Sequence, residues 1–323
     1  MTTYPSGLRF ETIVVPTPYA VGPANVYAIT ADPITLIDCG PNTAAAEHAL
    51  RQGMASFERT LEDVRRIVIT HGHPDHYGLA PRLQELSGAE VLVGALDQAK
   101  LADVGTLALT GQLLLKTGIP SATLADMGAR ERAMGEDLHP EVEGSVPVSG
   151  GERLPFDGFE LELLHLPGHT AGHICPYDRR EGVLFSGDTL LLEISPNPLL
   201  EPDPKDPEER RRSLVEYLDT LDRLADMDLR RVFPGHGPVI DEPHALIEEM
   251  RHHHHDRVDH IATLLTPEGI SAWQLSEVLF PNLEGFDNFL AVSEVLAHVD
   301  LLVLDGRAVP EDRGGVTYYR SPD

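Results

Sequence analysis

Four stretches of this chain place an imidazole or a carboxylate directly after an apolar run and a tight turn. Ile67-Val68-Ile69-Thr70 leads to His71, His73, Asp75 and His76. Leu161 to Leu166 leads through Pro167-Gly168 to His169, and Val183-Leu184-Phe185 leads through Ser186-Gly187 to Asp188. Val232-Phe233 leads through Pro234-Gly235 to His236. Imidazole nitrogens mixed with carboxylate oxygens suit zinc, with iron and manganese as alternatives, and do not suit calcium. His71 and His73 stand two apart, so one loop can aim both at a single ion, while Asp75 and His76 turn towards a second. A carboxylate such as Asp188 has two oxygens and can bridge both ions. Two divalent ions about 3.5–4 Å apart can hold a bridging hydroxide, a strong nucleophile at neutral pH. The chemistry suggested is metal-assisted hydrolysis, with Asp75 and Asp188 as the carboxylates at the reacting centre.

Such a cluster forms only if the strands beneath it are aligned. Apolar runs at Leu8 to Pro16, Asn25 to Thr30, Ile34 to Ile37 and Glu90 to Val93 read as strands. Helices are expected from Thr43 to about Gly53, from Asp75 through Leu86, and after Pro207 with Leu214, Leu218, Leu221 and Leu224 on one stripe. Strands alternating with helices indicate an α/β fold. Ligand loops then belong at strand ends along one sheet edge, and the glycines allow the sharp turns. The leucine-rich segment from about 96 to 144 reads as an inserted helical cap, with two helices joined by Gly118-Ile119-Pro120-Ser121. A catalytic domain over 1–240 is expected to precede a smaller unit over 241–323, whose order of helix, helix, helix and hairpin is that of a winged helix.

Taken together, the motifs resemble those of the metallo-β-lactamase superfamily. Thr70-His71-Gly72-His73-Pro74-Asp75-His76 looks like its signature, and Pro167-Gly168-His169-Thr170-Ala171-Gly172-His173 resembles the second motif. Ser186-Gly187-Asp188-Thr189 and Pro234-Gly235-His236-Gly237 resemble the third and fourth, and Ile37-Asp38-Cys39-Gly40 an early turn. The resemblance covers roughly residues 8 to 240. It implies a four-layer αββα sandwich binding two divalent ions. His71, His73 and His169 would hold the first, Asp75, His76 and His236 the second, with Asp188 bridging and Asp38 bracing the loops. The whole chain most resembles the glyoxalase II-like, lactamase-like branch. That implies a hydroxyacylglutathione hydrolase-like thioesterase, or a hydrolase of a lactone or other ester. The tail departs from the all-helical glutathione-binding region of true glyoxalase II.

Composition narrows the field. The formal net charge is −27, from 25 basic and 52 acidic residues, which repels phosphate backbones and anionic lipids. Residues 256 to 323 hold four arginines, no lysine and twelve acidic residues, so a DNA-reading tail lacks the basic flanks it would need. No apolar run reaches the length of a membrane span and the start of the chain lacks a secretory pattern, so a cytoplasmic protein is expected. The partner expected is a small-molecule acyl or ester substrate, with a homo-oligomer open. Rival readings are a phosphodiesterase or ribonuclease, a persulfide dioxygenase with one iron, and a metal-dependent DNA-binding module. Among other residues, Cys39 and Cys175 read as buried thiols. His173 reads as a structural hydrogen-bonding group, His165 as packed or exposed, and Tyr77 as either packing or pocket-lining. The run His252-His253-His254-His255 reads as a solvated helical face.

Overall fold

The computed structural model describes residues 1–102, 105–134 and 138–322. Parts of the expected cap, at 103–104 and 135–137, lie outside the described residues. Seven strands hydrogen-bond in chain order into a first sheet: β1 (Thr2–Thr3), β2 (Arg9–Val15), β3 (Ala24–Ile29), β4 (Thr35–Ile37), β5 (Arg66–Ile69), β6 (Glu90–Gly94) and β7 (Val146–Val148). Along the chain, α1 (Ala44–Ala55), α2 (Pro74–Tyr77), α3 (Ala80–Ser87), α4 (Gln98–Ala102), α5 (Gly105–Leu115) and α6 (Ser121–Met134) fall between its later strands. A second sheet takes β8 (Arg153–Pro155), β9 (Glu160–His165), β10 (Ile174–Asp178) and β11 (Val183–Gly187). It is completed, after the β12 (Pro202–Asp203) and β13 (Asp206–Arg210) pair and α7 (Ser213–Ala225), by β14 (Arg231–Pro234), in the order β14-β11-β10-β9-β8.

Strand direction gathers the loops. β4, β5 and β6 are parallel neighbours, so their C-terminal ends share one edge of the first sheet. β10 is antiparallel to both β9 and β11, and β14 is parallel to β11, so β9, β11 and β14 end together in the second. Side chains alternate across the first sheet as a pleated strand requires. Ile67, Ile69, Val91 and Val93 join Ala46, Leu50 and Met54 of α1 and Leu83 of α3 in one core. Val68, Leu92, Phe10 and Tyr27 face the other way and pack with Leu161, Leu163, Ile174, Phe185 and Phe233 of the second sheet. Phe10 lies at the centre, its ring edge-on to Phe185 at 5.0 Å and to Phe233 at 4.8 Å. The two sheets therefore meet over an apolar layer.

Local sequence explains most elements. Thr43 caps α1, its side chain accepting from Ala46 N. The single helix expected from Asp75 to Leu86 is two, α2 and α3. The interruption has a cause: Pro81 lies in the first turn of α3 and donates no backbone hydrogen bond. Among the described residues, no helix is long and apolar enough to cross a membrane.

The chain divides into two compact units that interleave along the sequence. One comprises residues 1–103, 136–196 and 223–247, and the other 104–135, 197–222 and 248–323. The expected boundary at 240 was sequential, and the observed one is not. The reason is packing: Leu113 and Leu114 of α5, with Ile119, share a core with Val258, Ile261, Leu275 and Val292. The segment expected to be a cap thus contributes core residues to the second unit. That unit also holds most of α8 (Pro243–Leu264), then β15 (Ile270–Ser271), α9 (Ala272–Leu279), α10 (Phe286–Leu304), β16 (Val309–Arg313) and β17 (Val316–Arg320). The three helices and the hairpin expected there are present, with β15 added beside β17.

The histidine run is not a uniformly solvated face. His254 is 1% exposed. It continues the buried stripe Met250, His254, Val258 and Ile261 along α8. Its Nδ1 lies 3.0 Å from Nε2 of His298 on α10. Burial pushes the pKa of His254 down to about 3 and that of His298 to about 4, so both rings are neutral.

Candidate metal centre

Each expected donor leaves the end of a strand. β5 runs into His71, His73, Asp75 and His76; β9 ends shortly before His169; β11 delivers Asp188; β14 delivers His236. The structure brings all seven together, in overlapping groups of His71, His73 and His169; His71, His76 and Asp188; and Asp75, His76 and His236. In the first group, His73 Nδ1 lies 2.9 Å from His71 Nε2 and 3.1 Å from His169 Nε2. In the last, His236 Nε2 lies 3.3 Å from Asp75 Oδ2. Asp188 sits between them. Its Oδ2 is 3.9 Å from His71 Nε2, 3.8 Å from His169 Nε2 and 3.7 Å from His236 Nε2, and its Oδ1 is 3.5 Å from His76 Nε2.

The rings are aimed by partners on their far sides. His76 Nδ1 donates to Asp38 Oδ2 at 2.8 Å, and His236 Nδ1 donates to the Pro23 carbonyl at 2.9 Å. Thr70 Oγ1 donates to Asp38 Oδ2, so its lone pair faces His71 Nδ1–H at 3.0 Å. In all three rings Nδ1 faces a partner outside the cluster and Nε2 points to the centre, where a cation would take its lone pair in place of any second proton. Asp38 also accepts from Thr70 N at 2.7 Å. The bracing role expected of Asp38 matches this hydrogen bonding.

The residues fit a pair of cations. His76 Nε2, His236 Nε2 and Asp188 Oδ1 are buried and make no hydrogen bond. Such atoms are costly unless an ion or water takes them. Burial, then the neighbouring imidazoles, holds His71 and His73 well below the usual histidine range, which leaves their lone pairs available. The opposite holds beside the carboxylates. Burial lowers the His76 pKa, but Asp188, Asp38 and Asp75 together raise it well above the ordinary value. Among the described residues, the ion-pair partners of Asp75 and Asp188 are imidazoles. That side of the cluster therefore carries negative charge that calls for a cation. Gly235 permits the close assembly, because a Cβ there would meet Asp188 Oδ1 at 2.5 Å.

Two supporting residues escaped the sequence reading. Asp97 is fully buried and accepts from Gly72 N at 2.9 Å, Gly172 N at 2.9 Å and Thr170 Oγ1 at 2.6 Å. Burial alone would raise its pKa, but Lys100 and these donors hold it well below the usual carboxylate range. It follows β6 as Asp188 follows β11, so the strand-turn-carboxylate pattern was there to read. Asn25 Nδ2 donates to the carbonyls of Pro234 and Gly237, and so fixes the His236 loop.

Other candidates lie outside the cluster. His173 Nε2 accepts from Asp188 N at 3.2 Å. His165 Nε2 meets the Ala171 carbonyl. Tyr77 packs in the core beside α1 and α3, and burial pushes its phenol up to about 12. Cys39 and Cys175 are buried and free.

A family model described as the Metallo-beta-lactamase superfamily matches residues 19–236. This chain belongs to the metallo-beta-lactamase superfamily. The Bacillus subtilis protein named "Probable metallo-hydrolase YqjP" is 33% identical over 316 residues, spanning 96% of this superfamily member and 97% of that protein. A solved metallo-beta-lactamase family protein from Thermus thermophilus matches with a TM-score of 0.83 at 30% identity, over 97% of this chain and 98% of that one. "Hydroxyacylglutathione hydrolase GloC" of Haemophilus influenzae is 32% identical over 133 residues, covering 40% of this chain and 51% of that protein. The α/β sandwich expected from the motif order is the architecture of this metallo-beta-lactamase-superfamily chain.

Removing metal should lower stability, because an ion bound only by the folded state stabilises it by mass action, by about 2.7 kcal/mol at a hundred times its dissociation constant. Chelator-treated protein is expected to melt several degrees lower and to recover with added Zn²⁺. An unchanged melting curve would count against the fit.

Proposed function

We propose that this chain is a metal-dependent hydrolase of an ester-like bond, with a thioester first and a lactone or other ester next. The observation that carries this is the position of Asp188, whose carboxylate lies between two groups of inward-facing donors. His71, His73 and His169 would hold one ion and Asp75, His76 and His236 the other, with Asp188 shared. Zinc suits this donor set first, and iron or manganese next. When bound, two such ions supply a water-derived nucleophile at neutral pH and polarise the substrate carbonyl.

The protein's own groups do the rest. Burial would raise the Asp75 pKa, but His76 and His236 lower it below the ordinary value, so Asp75 is an ionised acceptor. As such it would orient the attacking water. Asp38, Thr70 and Pro23 hold three rings so that the geometry survives turnover. Several exposed apolar residues lie on the loops of the cluster: Leu96 next to Asp97, Val21 near Pro23, Leu192 and Ile194 after Asp188, and Val239 after His236. They favour an apolar acyl group over a polyanion, as does the net charge of −27. The name of the Haemophilus influenzae relative supports placing thioesters first.

The test is a panel of thioesters of rising acyl length, lactones, phosphodiesters and RNA, using protein of measured metal content. Thioester hydrolysis is expected, with kcat/KM rising by up to about 4-fold for each methylene that the loops cover. RNA cleavage that is lost in His236→Ala would reverse the ranking. Oxygen uptake with a persulfide, and iron at the centre, would replace hydrolysis with dioxygenation.

A further inference from the structure

The second unit carries a separate group of metal-type donors. One ring nitrogen each of His253 and His254 on α8 and a carboxylate oxygen of Glu294 on α10 lie within 4.8 Å of one another. Proximity alone decides little, because exposed histidines and acids gather without ions. The hydrogen bonding of the buried rings decides more. His298 Nδ1 lies 2.6 Å from the Glu294 carbonyl, which can only accept, so that nitrogen carries the proton. His298 Nε2 is then a lone pair, and it accepts from His254 Nδ1–H at 3.0 Å. His254 is left with an Nε2 lone pair that is buried and makes no hydrogen bond. A buried acceptor without a partner is rare and costly. A metal-binding histidine is commonly held this way, with its other N–H anchored by a group behind it. Here that anchor is a two-step relay through His298 to the backbone.

We propose that His254 Nε2, His253 and Glu294 form a mononuclear site for a zinc-type dication, distinct from the centre built on His71 and Asp188. Two imidazoles and one carboxylate are a zinc donor set that leaves a position for water. His253 is exposed and offers the ion a route from solvent. Arg257 competes with the ion, since its Nε lies 3.9 Å from Glu294 Oε1. The site should therefore bind more weakly than the principal centre and lose its ion first to a chelator. The ends of the run are not part of it. His252 Nδ1 faces the Glu248 carbonyl, and His255 pairs with Asp259.

The experiment uses the full chain with its principal centre loaded, equilibrated with excess Zn²⁺ and then freed of unbound metal. Wild-type protein is expected to retain one equivalent more than His253→Ala or Glu294→Gln. Neither variant removes a fully buried side chain, so both should fold. Co²⁺ in place of Zn²⁺ should give a visible absorption band in the wild type that is diminished by one site's contribution in both variants. Asp188→Ala should lose metal from the principal centre and keep this equivalent, which separates the two sites. Equal metal content in wild type and His253→Ala would overturn the proposal. So would loss of the same equivalent in the double variant His252→Ala, His255→Ala, since that outcome marks a surface chelate of neighbouring histidines.

Discussion

Asp188→Ala is expected to lower hydrolysis by at least about 10³-fold while the protein stays folded. The Asp188 carboxylate approaches His71, His169 and His236 through one oxygen and His76 through the other. Asp75, the other carboxylate of the cluster, is grouped with His76 and His236. Loss of the Asp188 carboxylate removes the shared contact and leaves the imidazoles as separate, weaker sites. The loop itself does not depend on that side chain. It is held by the backbone N–H of Asp188, which donates to His173, and by Gly235 N, which donates to the Gly187 carbonyl. Metal per chain, activity on the best substrate of the panel, and circular dichroism check the three parts. Full activity in this variant would remove the functional reading, and His71→Ala should behave alike.

Asp97→Asn is expected to weaken metal binding by about 10–100-fold and to destabilise the fold by about 3–5 kcal/mol. The carboxylate accepts from two backbone N–H groups and a hydroxyl, and it faces the Lys100 ammonium at 3.1 Å. An amide of the same shape has one acceptor oxygen, so its NH₂ must meet a donor. The ion pair with Lys100 would also be lost. Gly72 lies between His71 and His73, and Gly172 follows His169 in the same loop, so the slack falls on the three-imidazole group. Denaturant midpoints and a Zn²⁺ titration measure the two effects. Wild-type values in both would show that these contacts neither stabilise the fold nor position the ligands.

The donors were legible because their signal is local. An apolar strand, a glycine and a ligand are adjacent in sequence, so Asp188 and His236 could be read without knowing what they meet. Asp97 was harder because two of its partners are backbone N–H groups, which no residue type announces. The fate of α5 shows a different limit. The apolar character of Leu113 and Leu114 foretells burial, but not that Val258 and Val292 would bury them. Those contacts join segments far apart in the chain. The histidine run held a signal that composition hid. His254 falls on the stripe of Met250, Val258 and Ile261, so helical spacing already pointed it inward.

The donors are divided between the two sheets. His71, His73, Asp75 and His76 follow β5, while His169, Asp188 and His236 follow β9, β11 and β14. The spacing between these sets is therefore governed by the thickness of the aromatic layer where Phe10 meets Phe185 and Phe233. That layer works as a gauge block. Trimming a ring there would let the sheets settle closer and detune the candidate centre without touching a single candidate ligand.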